Sequence, residues 1–327
     1  MAGRAEGRGS RQGGDLPPGH RDLQHPRHPA AHGRGVRPPL RARRPAARVH
    51  RRRHRGVSED GPVSHLLDDA VASTPLGDGV HRVQVTADWH TANGTPNGGY
   101  ILALLQHATL RESAHPDPLT IAVTYFRPAV PGPADIRVRE VRKGRRVSTY
   151  DAVLVQDGKE IAHAVVSTHD WDAAGSVEHT PHAAPAVPRP EDCADVSALI
   201  PAGMMPILER YRYRAPTVPG WFRGEPSGST ESICWIRTSD ERPVDALLAG
   251  ALVDAFPPAT AEIGQLASAT IQLTVHYRRR PTGTVWTLGH VVARHVIAGY
   301  HDEDVELWDE DGRLIAQSRQ LAILAEG

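Results

Sequence analysis

The stretch "TPNGGYILALLQHATL", residues 95–110, decides the fold. Written as a helix, its apolar side chains Tyr100, Ile101, Leu102, Leu104, Leu105 and Leu110 point to every side. A helix with no polar face belongs inside the protein. The same holds for "VDALLAGALVDAF", residues 244–256, where Val244, Leu247, Leu248, Leu252 and Phe256 again leave no polar stripe. Outside a membrane, a curved antiparallel sheet wrapped around such a helix buries it economically.

The flanking segments supply that sheet, twice. After the first helix come "PLTIAVTYFRP", "ADIRVREVRKGRRVSTYDAVLVQDG" and "KEIAHAVVSTHD", strand-like runs with turns at Lys143-Gly144 and Asp157-Gly158. After the second come "ATIQLTVHYRRRP", "TVWTLGHVVARHV", "YHDEDVELWDEDG" and "RLIAQSRQLAIL". "VTYFRP" at 123–128 parallels "TVHYRR" at 274–279, and "QDGKEIA" at 156–162 parallels "EDGRLIA" at 310–316. The Pro- and Ala-rich "EHTPHAAPAVPRPEDCADVS" between the copies reads as a linker. One helix followed by a strand meander is the sequence form of the hotdog fold. Two copies predict an α+β double hotdog, two tandem repeats each with a curved antiparallel sheet around a central helix. The expected boundaries are 62–172 for the first hotdog, 173–204 for the linker and 205–327 for the second.

Residues 1–61 are a different kind of sequence. The first 56 residues hold fifteen arginines, no lysine and three acids, so a segment of charge +12 precedes a remainder of −12. Such an Arg, Pro, Gly and His mixture cannot bury enough apolar surface to fold alone, and disorder is expected there. Its composition admits a basic arm for nucleic acid or acidic lipid, or an over-extended reading frame whose true start lies near Val57 or Val63. The expectation adopted is an extension without a nucleic-acid partner. Nowhere are there 18 consecutive apolar residues, and the N-terminus lacks an apolar signal core, which predicts a cytoplasmic protein without a membrane span. Cys193 and Cys234 have no metal or redox spacing.

From about residue 62 to 324 the chain resembles the acyl-CoA thioesterase II family and its actinobacterial thioesterase-like relatives. The resemblance rests on "PNGGYILALL", "LTIAVTYFRPAVPGPADIRVREVRKGRRVST", "ALVDAFPPA", "ATIQLTVHYRR" and "WDEDGRLIAQSRQLAIL" in this order and spacing. It implies hydrolysis of an acyl-CoA thioester by water, without a cofactor, at one site per chain, in a homo-oligomer. Two other readings of the same fold are a non-catalytic acyl-binding protein and a thioesterase for acyl groups on a carrier protein.

Hydrolysis needs a positioned water, a base and donors for the oxyanion. Three residues of the second copy break the pattern of their segments. Asp254 lies in the all-apolar helix, Thr270 opens a strand, and Gln320 interrupts the strand face Leu314, Ala316, Ser318, Gln320, Ala322 and Leu324. The resemblance implies that they correspond to the family's Asp, Thr and Gln set, with Asp254 as general base. Plainer readings are a solvated acid, a strand-forming threonine and an amide cross-linking two strands. For Gln320 the repeat is an internal control: Val166 occupies its place in the first copy, so the fold does not demand the amide.

The Gly98 and Gly99 amides, at the start of the first helix, are expected to form an oxyanion hole facing that cluster, unless the glycines serve only close packing. For the phosphates of coenzyme A the basic groups are Lys143, Arg145 and Arg146 on one turn and Arg278, with Arg279 and Arg280, after a strand. The sequence contains no G-x-S-x-G elbow, phosphate loop or H-E-x-x-H, and its histidines show no metal spacing, so no metal site is expected.

Overall fold

In a computed structural model, described over residues 64–201 and 203–325, the first half of the chain forms α1 (Leu66–Val71), β1 (Ser73–Gly77), β2 (Val80–Val85), α2 (Gly98–Glu112), β3 (Asp117–Tyr125), β4 (Gly132–Arg142), β5 (Ser148–Gln156) and β6 (Lys159–His169). The second half forms β7 (Ala194–Asp195), α3 (Pro206–Arg210), β8 (Tyr211–Ala215), β9 (Glu231–Thr238), α4 (Ala246–Leu252), β10 (Ser268–Tyr277), β11 (Thr287–Val292), β12 (Val296–Ile297), β13 (Tyr300–Trp308) and β14 (Leu314–Leu324). The expectations for residues 1–61 fall outside the described residues.

Each buried helix starts at a side-chain cap. Asn97 is extended and accepts the Tyr100 N–H, and Asp245 does the same for Leu248. Within α2, Leu102, Leu104 and Leu105 have no exposure at all, and burying each contributes about 2 kcal/mol. The second helix was expected to run to Phe256 but ends at Leu252. Pro257 and Pro258 follow at once, and a proline disfavours the helical conformation of the residue before it. Asp254 therefore sits in the turn just beyond α4.

The described strands form one antiparallel sheet in the order β1-β2-β4-β5-β6-β3-β10-β14-β13-β11-β9-β8-β7, with β12 pairing β13. The halves meet where β3 pairs with β10, Ile121 opposite Val275 and Val123 opposite Leu273. On the inner face, α2 packs against β3 to β6 and against α4, and α4 touches β14. The Pro- and Ala-rich stretch does more than connect. Cys193 packs with Trp235, Leu288 and Trp308, and Pro188 O accepts the Trp235 indole N–H at 3.0 Å.

Register corrects the repeat alignment by one residue. Tyr125 lies opposite Ala162, and Tyr277 opposite Ala316, so Tyr125 matches Tyr277 rather than His276. The match of Val166 with Gln320 is kept: Val166 lies opposite Ile121, and Gln320 opposite Leu273.

Candidate active site

Asp254 is held by the other half of the chain. Its Oδ2 accepts the Gly99 N–H at 2.8 Å and Asn97 Nδ2 at 3.0 Å, while its backbone carbonyl accepts Asn97 Nδ2 at 2.7 Å. The start of α2 carries free amides and the positive end of the helix dipole, a natural seat for a carboxylate. Tyr125 closes the seat by donating its hydroxyl to Gly98 O at 2.8 Å. Burial raises the Asp254 carboxyl to about 6, and only the donors at Gly99, Asn97 and Gly98 keep it from rising further.

Those contacts change the role expected of the glycines. The Gly99 amide already serves Asp254, and the Gly98 amide also favours the charged carboxylate. With Asp254 ionised, the Gly99 amide is occupied. The glycines are needed for closeness: a Cβ on Gly98 would lie 2.8 Å from Asp254 Oδ2, and one on Gly99 would strike the Ala251 carbonyl.

Thr270 and Gln320 are brought together directly, the Thr270 hydroxyl donating to Gln320 Oε1 at 2.8 Å. Along β10 the inward residues are Leu273, Val275 and Tyr277, so strict alternation would turn Thr270 outward. A bulge between Thr270 and Gln272 resets the phase and aims Thr270 at the inner face beside Gln320. Gln320 in turn donates Nε2 to Glu303 Oε1 at 2.8 Å, and Glu303 Oε2 accepts the Ala259 N–H at 2.8 Å. Asp254 makes no direct hydrogen bond to Thr270 or Gln320, but its charge reaches Glu303 and helps raise that carboxyl to about 7, after burial as the main cause.

The basic residues chosen for coenzyme A do not join this cluster. Lys143, Arg145 and Arg146 are exposed on the β4–β5 turn, where Gly144 O shares a hydrogen bond with His115 beyond the far end of α2. The 15 residues of α2 put about 22 Å between that end and Asp254. Arg278 is exposed eight residues along β10 from Thr270, about 26 Å away. Its neighbours are engaged elsewhere, Arg279 with Glu178 and Arg280 with Asp117 and Asp172. Among the described residues no group of His, Cys, Asp and Glu is arranged to hold a metal, and no helix is long and apolar enough to cross a membrane.

Sequence reasoning missed Asn97, Tyr125 and Glu303. Glu303 carried a signal, since it shares the alternation phase of Val305 and Leu307 in β13 and is buried with them.

The curved sheet over buried helices is that of the hotdog proteins: a hotdog-fold structure of unknown function from Alicyclobacillus acidocaldarius superposes with a TM-score of 0.72 at 26% identity, over 81% of this chain and 100% of that one. The chain belongs to the acyl-CoA thioesterase family, whose N-terminal domain model matches residues 85–169 and whose C-terminal domain model matches 181–324. An acyl-CoA thioesterase II, TesB2, from Mycobacterium marinum shares the fold at a TM-score of 0.60 and 17% identity, covering 80% of this chain and 98% of its own. An uncharacterised Mycobacterium tuberculosis protein is 29% identical over 293 residues, 80% of this chain and 99% of the relative. A thioesterase-like protein, TwmA, from Talaromyces wortmannii is 22% identical over 331 residues, 81% of this chain and 93% of its own length.

Proposed function

We propose that this chain is a double hotdog, with hotdogs at 62–172 and 205–327 joined by 173–204, that hydrolyses acyl-CoA thioesters with water and no cofactor. The observation that carries the reading is Asp254: a half-buried acid just beyond an apolar helix, raised to about 6 and acting through its charge on Glu303, which accepts from the Gln320 of a Thr270–Gln320 hydrogen-bonded pair. A carboxylate with that pKa is ionised at neutral pH yet basic enough to take a proton from water.

In the proposed reaction, Asp254, Thr270 and Gln320 hold one water against the thioester carbonyl. Its oxygen bonds to the carbonyl carbon while Asp254 takes a proton, giving a tetrahedral oxyanion. Protonation neutralises Asp254 as the oxyanion forms, and the positive end of α2, until then occupied by the carboxylate, becomes available to the new negative charge. Collapse breaks the carbon–sulfur bond, the thiolate takes the proton back from Asp254, and free acid and coenzyme A leave. No residue is acylated.

The test is thiol release from a chain-length panel of acyl-CoA esters by the intact protein, Asp254→Asn and Gln320→Ala, each checked for folding. Hydrolysis by the intact protein that falls at least about a hundredfold in both variants supports the reading. Binding without thiol release, or variants as active as the parent, gives it up for an acyl-binding protein or a carrier-protein thioesterase.

A further inference from the structure

Glu303 has no part in that reaction, yet it is a buried acid whose carboxyl bonds directly to Gln320. It is 3% exposed on the inner face of β13, where neighbouring inward positions hold Val305 and Leu307. Hydrophobic residues there would be cheaper than an acid. Its two oxygens are used once each, by the Ala259 amide and by Gln320 Nε2.

An ionised carboxylate can only accept hydrogen bonds. With Glu303 charged, Gln320 must turn its NH2 toward it and its carbonyl toward Thr270, which commits the single Thr270 proton to Gln320. The Thr270 oxygen is left with lone pairs to accept a hydrogen from water. If Glu303 becomes an acid and donates, the Gln320 amide is free to turn over, and the Thr270 proton is released toward the water. There it competes for the lone pair that must attack the carbonyl.

We propose that Glu303 is a positioning residue for the attacking water, its negative charge setting which way the Gln320 amide points and hence the hydrogen-bond polarity of Thr270. This rests on the thioesterase reading of the cluster. The groups around Glu303 fit a charge-dependent role. Asp254, in the turn after α4, and Asp302, on its own strand, both disfavour its ionisation, after burial, whereas the Ala259 amide and Gln320 favour it. His301, also inward on β13, is held toward its neutral form by burial. On the β11 side Val291 lies opposite Val305, and beyond Gln320 on β10 the residue opposite it is Leu273.

Two carboxylates, Asp254 and Glu303, must then be ionised for turnover, and they repel one another. The acid side of the pH profile of kcat/KM should have a limiting slope of two, about a hundredfold per pH unit, where a single base gives about tenfold. The experiment measures kcat and KM for acyl-CoA hydrolysis from pH 4.5 to 9 with the intact protein, Glu303→Gln, Glu303→Asp and Asp254→Asn, with folding followed at each pH. Expected are a slope of two in the intact protein, a slope of one in Glu303→Gln with kcat at pH 8.5 lowered at least about tenfold and KM within about threefold, and a return of the slope of two in Glu303→Asp.

A slope of one in the intact protein overturns the proposal even if the Glu303 variants do not fold. So does a Glu303→Gln profile that matches the parent. If only the Glu303 proposal fails, the intact protein still turns over and Asp254→Asn does not. If the intact protein hydrolyses no acyl-CoA at any pH, the thioesterase reading fails and takes this proposal with it.

Discussion

Gln106 and Asp254 are counterparts in the two halves: Gln106 stands nine residues after the cap Asn97, and Asp254 nine residues after the cap Asp245. Their surroundings match as well. Asp254 meets Asn97 and Gly99, with Tyr125 bonded to Gly98 O, and Gln106 donates to Ala246 O at 3.0 Å and accepts from Tyr277. Where one half has an acid at this place and Gln320 on its sheet, the other has a neutral amide and Val166. Only one of the two equivalent places keeps a base.

If the Gln106 place is structural, Tyr277→Phe should leave turnover unchanged and lower stability. Tyr277 is 2% exposed, and removing its hydroxyl leaves the buried Gln106 carbonyl without that donor, at a cost of about 1–3 kcal/mol. Urea unfolding beside steady-state kinetics separates the two effects. A large fall in kcat with intact folding would mean that the amide end takes part in catalysis.

Thr270→Val keeps shape and removes the hydroxyl that donates to Gln320 Oε1 at 2.8 Å. The expected stability cost is about 1 kcal/mol, with kcat lowered at least about tenfold and KM almost unchanged, because the lost contact is to the water rather than to the acyl-CoA. Thr270→Ser, which keeps the donor, should recover most of the rate. Equal rates in Thr270→Val and the parent would remove Thr270 from the water site.

Gly99→Ala tests how closely the halves must approach. The added methyl would strike the Ala251 carbonyl and lie 3.1 Å from Asp254 Cβ, so the turn carrying the base has to move. Overpacking of this kind costs about 1–3 kcal/mol, and an ångström of displacement at a catalytic group costs up to about a hundredfold in rate. Both losses are expected together in the kinetics and the denaturation midpoint. A rate loss without a stability loss would instead show that the Gly99 backbone meets substrate.

The parts of this site legible in the sequence were those that break a local rule. Asp254 interrupts an apolar helix pattern, and Gln320 a strand face. Glu303 breaks the same rule, but in "YHDEDVELW" three more acids, Asp302, Asp304 and Glu306, on the outward phase hide it. Asn97 could not be read in this way, because its bond to the Asp254 carboxylate spans 157 residues and exists only once β3 and β10 have joined the halves. The inward turn of Thr270 comes from a bulge at Ile271 that no glycine or proline announces. For the basic residues Lys143, Arg145 and Arg146, composition shows a charge run but not which end of a helix about 22 Å long it will face. The buried helices and the repeat were legible because burial on every side and a doubled strand order are properties of whole segments, which one misjudged residue does not alter.

The base itself should be a burden on the fold. The Asp254 carboxyl stands at about 6 in the folded protein against an ordinary value of 3.8, so the native state holds its proton more tightly than the unfolded chain does. Between those values the unfolded state has already released the proton, and stability falls as pH rises through the window, then levels off above it. Below 3.8 both states are protonated and the burden vanishes. Asparagine imitates the neutral acid at every pH. Asp254→Asn should therefore match the parent in stability near pH 4 and exceed it at pH 8 by about 1–3 kcal/mol, the upper end being the full cost of holding the charged form in the fold and partial exposure to solvent reducing it. Glu303, raised to about 7 from 4.5 with the Asp254 charge among the causes, adds its own fall with pH, smaller once that charge is gone, so the difference between the urea-unfolding free energies, followed from pH 4 to 8, reports the Asp254 charge together with its repulsion of Glu303. A difference that grows through pH 4 to 6 marks a carboxylate kept ionised against the preference of the fold. A flat difference would mean that the α2 donors fully compensate its charge, and a group stabilised that well would be too weak a base to take a proton from water.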